Sequence, residues 1–218
     1  MALDPAHLDP VCSLEDATRR RLYDFVAAAG GPVTRDDASV ALDIDRSLVA
    51  YHLDKLAAQG LLAVSFARPE GRTGPGAGRP AKHYERSDHE FAVSVPPRDY
   101  RLAAELLARA AASDATGTVR EALHRAADEL GRELAGHAGT PGDLVAHLEG
   151  QGFEPYDDAG VTRLRNCPFH RLAQEHSELV CGMNLAMLTG VAEALGAETE
   201  ARLDPAPDRC CVAFVDRA

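Results

Sequence analysis

Four of the five cysteines fall in the last quarter of the chain: Cys167, Cys181, Cys210 and Cys211. Thiolates are ligands for soft metal ions and for iron–sulfur clusters, so their spacing is the first chemical clue. Thirteen residues separate Cys167 from Cys181, and 28 separate Cys181 from Cys210. A zinc ribbon needs two close C-x-x-C pairs, and this spacing excludes one. Cys167 is expected at the end of a strand with Pro168 just inside the next helix. Its sulfur would then sit near a helix N-terminus, where the field favours the thiolate. Cys181 shares a helical stripe with Leu185, Leu188, Ala192 and Leu195 and is expected to face the interior. Cys210 and Cys211 read as neighbours on a strand pointing to opposite faces, so only one joins a common site easily. Cys210 is preferred because it follows a proline-rich turn. Three thiolates plus a fourth ligand suit a [4Fe–4S] cluster. They equally suit zinc, with His170 or His176 completing the tetrahedron. The bland alternative is four small buried hydrophobes. Cys12, in the N-terminal tail, is incidental.

The elements that must position these residues form a compact α+β domain over 140–218. A helix is expected over 143–151, and strands around 153–156 and 161–165. A helical stretch follows over 168–195, broken near Ser177. Two strands, 197–203 and 209–215, close the domain around Asp204-Pro-Ala-Pro-Asp208. A domain this small gains from a bound metal. Upstream, Tyr100, Ala103, Leu106, Leu107 and Ala110 fit one helix face. Val119, Leu123, Ala126, Leu130 and Leu134 fit another. Residues 96–137 therefore read as a helical linker, expected to pair two copies about a two-fold axis.

The N-terminal third carries a different pattern. Residues 1–12 read as a tail and 13–90 as one domain. A capping-box-like start at Ser13-Leu-Glu-Asp16 opens a helix to Ala29, ended by Gly30-Gly31-Pro32. Thr34 opens a short second helix, and Asp45 caps a third that begins at Arg46 and stops at Gly60. Strands over 61–67 and 81–86 flank a glycine-rich basic loop, 68–79. Three helices followed by a hairpin make a winged helix-turn-helix. The third helix would present Arg46, Ser47, Tyr51 and Lys55 to base edges and phosphates, while His52 and Leu53 face inward. In the wing, Arg68, Arg72, Arg79 and Lys82 are the phosphate or minor-groove candidates.

The charge of -11 seems wrong for a partner of double-stranded DNA. Its distribution matters more: from Arg46 to Ser87 seven basic residues face three acidic ones, a local +4. Apolar residues at 45% and charged residues at 26% exclude wholesale disorder. Early acidic residues break any signal peptide, and Leu179 to Leu195 is too short and polar to span a bilayer, so a cytoplasmic protein is expected. The fold class is mainly α with small β elements.

With these motifs assembled, the chain resembles ArsR-like winged-helix regulators of actinobacteria and cyanobacteria, including the iron–sulfur repressors of the Suf operon. The resemblance lies in Ala50-Tyr-His-Leu-Asp-Lys-Leu56, Gly76-Ala-Gly-Arg-Pro-Ala-Lys82 with Tyr84, Asn166-Cys-Pro-Phe-His170, Leu179-Val-Cys-Gly-Met-Asn-Leu185 and Asp208-Arg-Cys-Cys-Val212. It covers nearly the whole chain from Ser13. It implies a homodimeric DNA-binding repressor with a [4Fe–4S] cluster on Cys167, Cys181 and Cys210, whose state alters operator affinity in response to redox, iron or nitric oxide. The first cysteine interval is about one residue longer than in the Suf repressors. A second reading keeps the winged helix and gives the C-terminal domain zinc or a small organic ligand. A third draws Cys167 with His170 or His176, and Asp157 or Asp158, as a thiol enzyme. No oxyanion hole or phosphate loop accompanies those residues, so catalysis is not expected.

Overall fold

The computed structural model describes residues 5–67, 80–94, 98–137, 143–206 and 209–217, and it is mostly helical. The chain divides into two compact units, Met1–Arg98 and Asp99–Ala218.

The first unit opens with α1 (Pro5–Ser13), a helix where the composition suggested a tail. Pro10 sits inside it, and this proline is what disguised the helix. The next helix, α2 (Ala17–Ala28), starts four residues later than Ser13. Ser13 ends α1, so it cannot open α2. Asp16 takes the capping role instead and accepts the Arg19 amide at 2.9 Å. A two-residue strand, β1 (Val33–Thr34), precedes α3 (Arg35–Leu42). Thr34 and Asp37 form a reciprocal capping box at the start of α3. Asp43 closes α3 in the left-handed region (φ 53°), an arrangement that Asp tolerates better than most residues. Asp45 then caps α4 (Arg46–Ala58), accepting the amides of Ser47 and Leu48. On α4, Val49, Leu53 and Leu56 recur at helical spacing and are fully buried against Leu22, Val26 and Ala38. The strands β2 (Leu62–Ala67) and β3 (Ala81–Arg86) pair antiparallel, and β1 adds to β3, giving the order β1-β3-β2. Tyr84 of β3 plugs the core from the sheet side, 1% exposed.

The second unit is not a separate linker followed by a sensor. Helices α5 (Tyr100–Ala112) and α6 (Thr118–His137) belong to the same compact body as the cysteines. After α6 come α7 (Leu144–Gly150), the hairpin β4 (Pro155–Asp158) and β5 (Val161–Leu164), and α8 (His170–Glu175). The order continues with α9 (Ser177–Ala194), β6 (Thr199–Leu203) and β7 (Val212–Asp216). The four strands form an antiparallel sheet ordered β4-β5-β7-β6. Phe153, Leu164, Leu188, Val212 and Phe214 are its buried core.

Helix α9 lies against α6, and the two run parallel. Arg120 of α6 pairs with Glu178 near the start of α9, and Arg132 pairs with Glu193 near its end. Glycines set the distance between them. A Cβ on Gly131 would lie 2.1 Å from the carbonyl oxygen of Met187, and one on Gly190 would lie 2.3 Å from that of Asp128. Only backbone without side chains fits at these two contacts. Among the described residues no helix is long and apolar enough to cross a membrane.

Candidate functional site

The outward face of α4 is formed by Ser47, Leu48, Tyr51, Asp54 and Lys55, while His52 and Leu53 are buried as expected. Tyr51 is 59% exposed. Its ring packs edge-on against His52, with centroids 5.1 Å apart, and the Lys55 ammonium lies 6.0 Å from its centroid. These contacts hold an aromatic and a cation side by side on the exposed face, a pairing that suits base-edge and phosphate contact.

Two expected DNA contacts are engaged within the protein. Arg46 is exposed but ion-paired to Asp36 of α3 through Nε and Nη2. The Ser47 hydroxyl bonds Asp45 within the helix cap. Lys82 is engaged within the protein too: it is half-buried, ion-paired to Asp54 and 5.2 Å from the Tyr84 ring centroid at the base of the hairpin. Arg68, Arg72 and Arg79 lie outside the described residues.

Asp54 was not singled out by the sequence, yet it ties the recognition helix to the wing. Its Oδ1 accepts both the Lys82 ammonium and the Tyr84 hydroxyl, the latter at 2.6 Å. Burial first, then this bond, pushes the Tyr84 phenol up and keeps it a donor. The only sequence signal was a carboxylate on the face otherwise reserved for DNA. Replacing Asp54 with alanine should cost about 1 kcal/mol, because the Tyr84 hydroxyl loses its acceptor. Urea unfolding of the full chain measures this, and an unchanged midpoint would remove the tether.

In the second unit Cys167, Cys210 and Cys211 pack in one core cluster with Met183 and Leu185 of α9, the helix that bears Cys181. Cys167 follows β5, Cys181 lies in the second turn of α9, and Cys210 and Cys211 precede β7. The last two are in a bend, not on a strand as expected, and so both can turn to one site. Two backbone bonds pin the bend. The Cys210 amide donates to Leu164 at 2.9 Å, and the Asp204 amide donates to the Cys211 carbonyl at 2.7 Å. Asp204 itself is held by Arg163 and Arg209.

Cys167, Cys210 and Cys211 share that core cluster. Cys210, 3% exposed, is the hub. The Asn184 side chain donates to it, and the neighbouring Cys167 and Cys211 thiols, more than this bond, hold its thiol well below the usual range. Cys167 and Cys211 are pushed up, chiefly by their interaction with Cys210 and secondarily by burial. The Phe169 amide is directed at Cys167. Pro168 and Phe169 form a turn ahead of α8, so Cys167 owes this donor to the turn and not to the helix N-terminus that the sequence suggested.

Asn184 is the residue that the sequence reading missed. It is fully buried, its Nδ2 donates to the Cys210 sulfur at 3.3 Å, and its Oδ1 has no hydrogen-bond partner. A polar amide one helical turn after Cys181, inside an apolar helix, was the available signal.

The two histidines are turned elsewhere. His170 is exposed and bonds Gln174 at 3.0 Å. His176 bonds Glu105 of α5 at 3.2 Å and groups with Glu175. Neither is bonded to the sulfurs: His170 opens α8 and His176 lies between α8 and α9, and each is held by the partner just named. Asp158 is ion-paired to Arg163, and Asp157 closes the β4–β5 turn by accepting the Gly160 amide.

Residues 14–65 match the family model described as a helix-turn-helix domain. The match spans α2, α3, α4 and the start of β2, the same elements that form the three-helix core. It supports a DNA-binding transcriptional regulator of the winged helix-turn-helix kind. No curated protein and no solved structure matches the chain.

Proposed function

We propose that this regulator is a homodimeric repressor of the iron–sulfur Suf type, whose operator affinity responds to a [4Fe–4S] cluster in its second unit. The observation that carries the reading is the packing of Cys167 and Cys210 in one core cluster against α9, which bears Cys181, with the buried Asn184 amide donating to the Cys210 sulfur. N–H donors directed at sulfur are what a cluster site needs, since they offset thiolate charge in a poorly solvated place.

Three thiolates with a fourth ligand suit a [4Fe–4S] cluster, and zinc is the competing occupant that metal analysis separates from it. Such a cluster supplies one-electron chemistry and sensitivity to oxidants. The chain's part is to hold the thiolates, to donate hydrogen bonds from Asn184, Phe169 and Val212, and to bury the hub from water.

Dimerisation is supported by an apolar face along α5. Tyr100, Leu102, Leu106 and Leu107 are all more than half exposed, with Leu107 at 72%. Val119 and Leu130 on α6 are exposed as well. A surface of this size and character marks an interaction site, and a two-fold pair is the common solution. Because a cofactor shifts an equilibrium only by binding two states differently, cluster state must change how two copies present their recognition helices.

The test begins with protein purified without oxygen, assayed for iron, acid-labile sulfide and visible absorption. DNA binding to duplexes selected from a random pool is then compared before and after bleaching by air. Near-equal iron and sulfide with an affinity change of about tenfold, or 1.4 kcal/mol, supports the reading. Colourless protein after anaerobic reconstitution sinks the cluster and leaves the DNA binding standing. In the same assay Lys55→Ala should lower the salt slope by about 0.9, the release of one phosphate counterion. An unchanged slope would remove Lys55 from the interface.

A further inference from the structure

We propose that Glu105, Glu175 and His176 form a binding site for a divalent first-row transition ion, separate from the cysteines, that clamps α5 to the junction of α8 and α9. None of its ligands is a thiol, so the inference is independent of the cluster reading above.

Glu105 stands in the second turn of α5, Glu175 ends α8, and His176 lies between α8 and α9. Glu105 and His176 are 71 residues apart in the chain, and the fold alone brings them together. One carboxylate oxygen from each glutamate and one imidazole nitrogen all lie within 4.8 Å of one another. The His176 side chain is 13% exposed and that of Glu105 16%, whereas Glu175 is exposed. Two donors are thus withdrawn from solvent and the third faces it, which gives an ion a way in and leaves its remaining positions to water.

The backbone fixes the imidazole from both helices. The His176 amide donates to the Leu172 carbonyl at 3.0 Å, and its own carbonyl accepts the Val180 amide at 3.0 Å. His176 holds the cap position of α9, yet its side chain makes no capping bond. Its Nε2 lies 3.2 Å from Glu105 Oε1 instead. Bonds of about 2.0–2.1 Å from zinc to nitrogen and oxygen set neighbouring corners of a tetrahedron about 3.3 Å apart. The pair already stands at that spacing, and Glu175 adds the second carboxylate that balances the charge of the ion. Imidazole with two carboxylates suits a first-row transition ion, whereas calcium and magnesium take oxygen shells. Arg109, whose side chain is 66% exposed, also pairs with Glu105 from the next turn of α5. Ligating carboxylates are commonly held by such a bond, so Arg109 is a positioning residue that orients Glu105.

The plain alternative is a hydrogen-bonded pair of His176 and Glu105, which needs nothing from Glu175. The experiment turns on that difference. Metal-free full chain is titrated with Mn2+ and followed by electron paramagnetic resonance, in which the signal of free Mn2+ fades as the ion binds. Mn2+ is the probe because thiolates suit it poorly, and the cysteines then stay silent. Wild-type protein should bind one Mn2+ per chain at below about 0.1 mM, tighter than the weakest oxygen-ligand cation sites. Glu175→Gln and His176→Gln should each weaken this by at least roughly tenfold, a loss that even an outer partner of a ligand can cause. The melting temperature of metal-free Glu175→Gln should equal that of the wild type, so the weakening reports a lost ligand and not a lost fold. Wild-type protein with no ion bound below about 0.1 mM overturns the proposal. So does Glu175→Gln binding Mn2+ as tightly as the wild type, which leaves only the His176–Glu105 pair. A chain that takes up no iron and sulfide fails the cluster reading and leaves this site standing.

Discussion

Replacing Gly190 with alanine should destabilise the second unit by about 3 kcal/mol, at the upper end of what overpacking a tight contact costs. The new Cβ would sit 2.3 Å from the backbone oxygen of Asp128, a distance that no side-chain rotation relieves. The helices must part, and parting them opens the contacts of Met187, Leu188 and Val191 with the core beneath. Gly131→Ala should act alike, since its Cβ would meet the Met187 carbonyl oxygen at 2.1 Å. Gly182→Ala is the control. Its Cβ would meet only the end of the His124 ring, at 2.8 Å, and that ring can turn, so its cost should stay below about 1 kcal/mol. Calorimetry of the full chain reads all three. Equal melting temperatures for Gly190→Ala and Gly182→Ala would show that α6 and α9 do not touch backbone to backbone.

Replacing Cys210 with serine should reduce iron and sulfide to background after anaerobic reconstitution. Cys210 is buried, packs in one core cluster with Cys167 and Cys211 and takes the Asn184 amide on its sulfur, so its loss removes the centre of the site. Serine is a poorer ligand for soft metal because its hydroxyl resists deprotonation. The first unit, whose core contains none of these residues, should keep its helices and bind DNA with the affinity of the bleached parent chain. Cys12→Ser should load like the parent chain, because Cys12 is exposed on α1. Full iron in Cys210→Ser would displace Cys210 from the ligand set. Retained iron together with lost DNA binding would indicate a folding defect, and far-ultraviolet circular dichroism distinguishes it.

Much of the first unit was legible because its signals are local. Asp45 caps α4 through amides two and three residues away, and Thr34 meets Asp37 within one turn. Val49, Leu53 and Leu56 announce the buried face by spacing alone. Where local signals misled, a neighbouring element had changed their meaning. Ser13 resembles an N-cap, but α1 already occupies it. The ion pair of Lys82 with Asp54, which lies 28 residues earlier, is likewise beyond what local signals can give.

The cysteine site divides in the same way. Sequence by itself determined the kinds of ligand and the elements that bear them: a thiol after a strand, another on an apolar helix, and a pair near the last strand. It also determined the helix-turn-helix, since caps, period and turn residues act over a few residues. Tertiary structure decided which thiols meet. The order β4-β5-β7-β6 sets the end of β5 beside the approach to β7, which brings Cys167 to Cys210 across 43 residues of chain. It turned Cys211 inward by bonding its backbone to Asp204, sent His170 and His176 to other partners, and aimed Asn184 at the hub sulfur. Such convergence depends on long-range pairing and close helix contact, and residues distant in the chain acquire it only when the sheet and the α6–α9 layer are both in place.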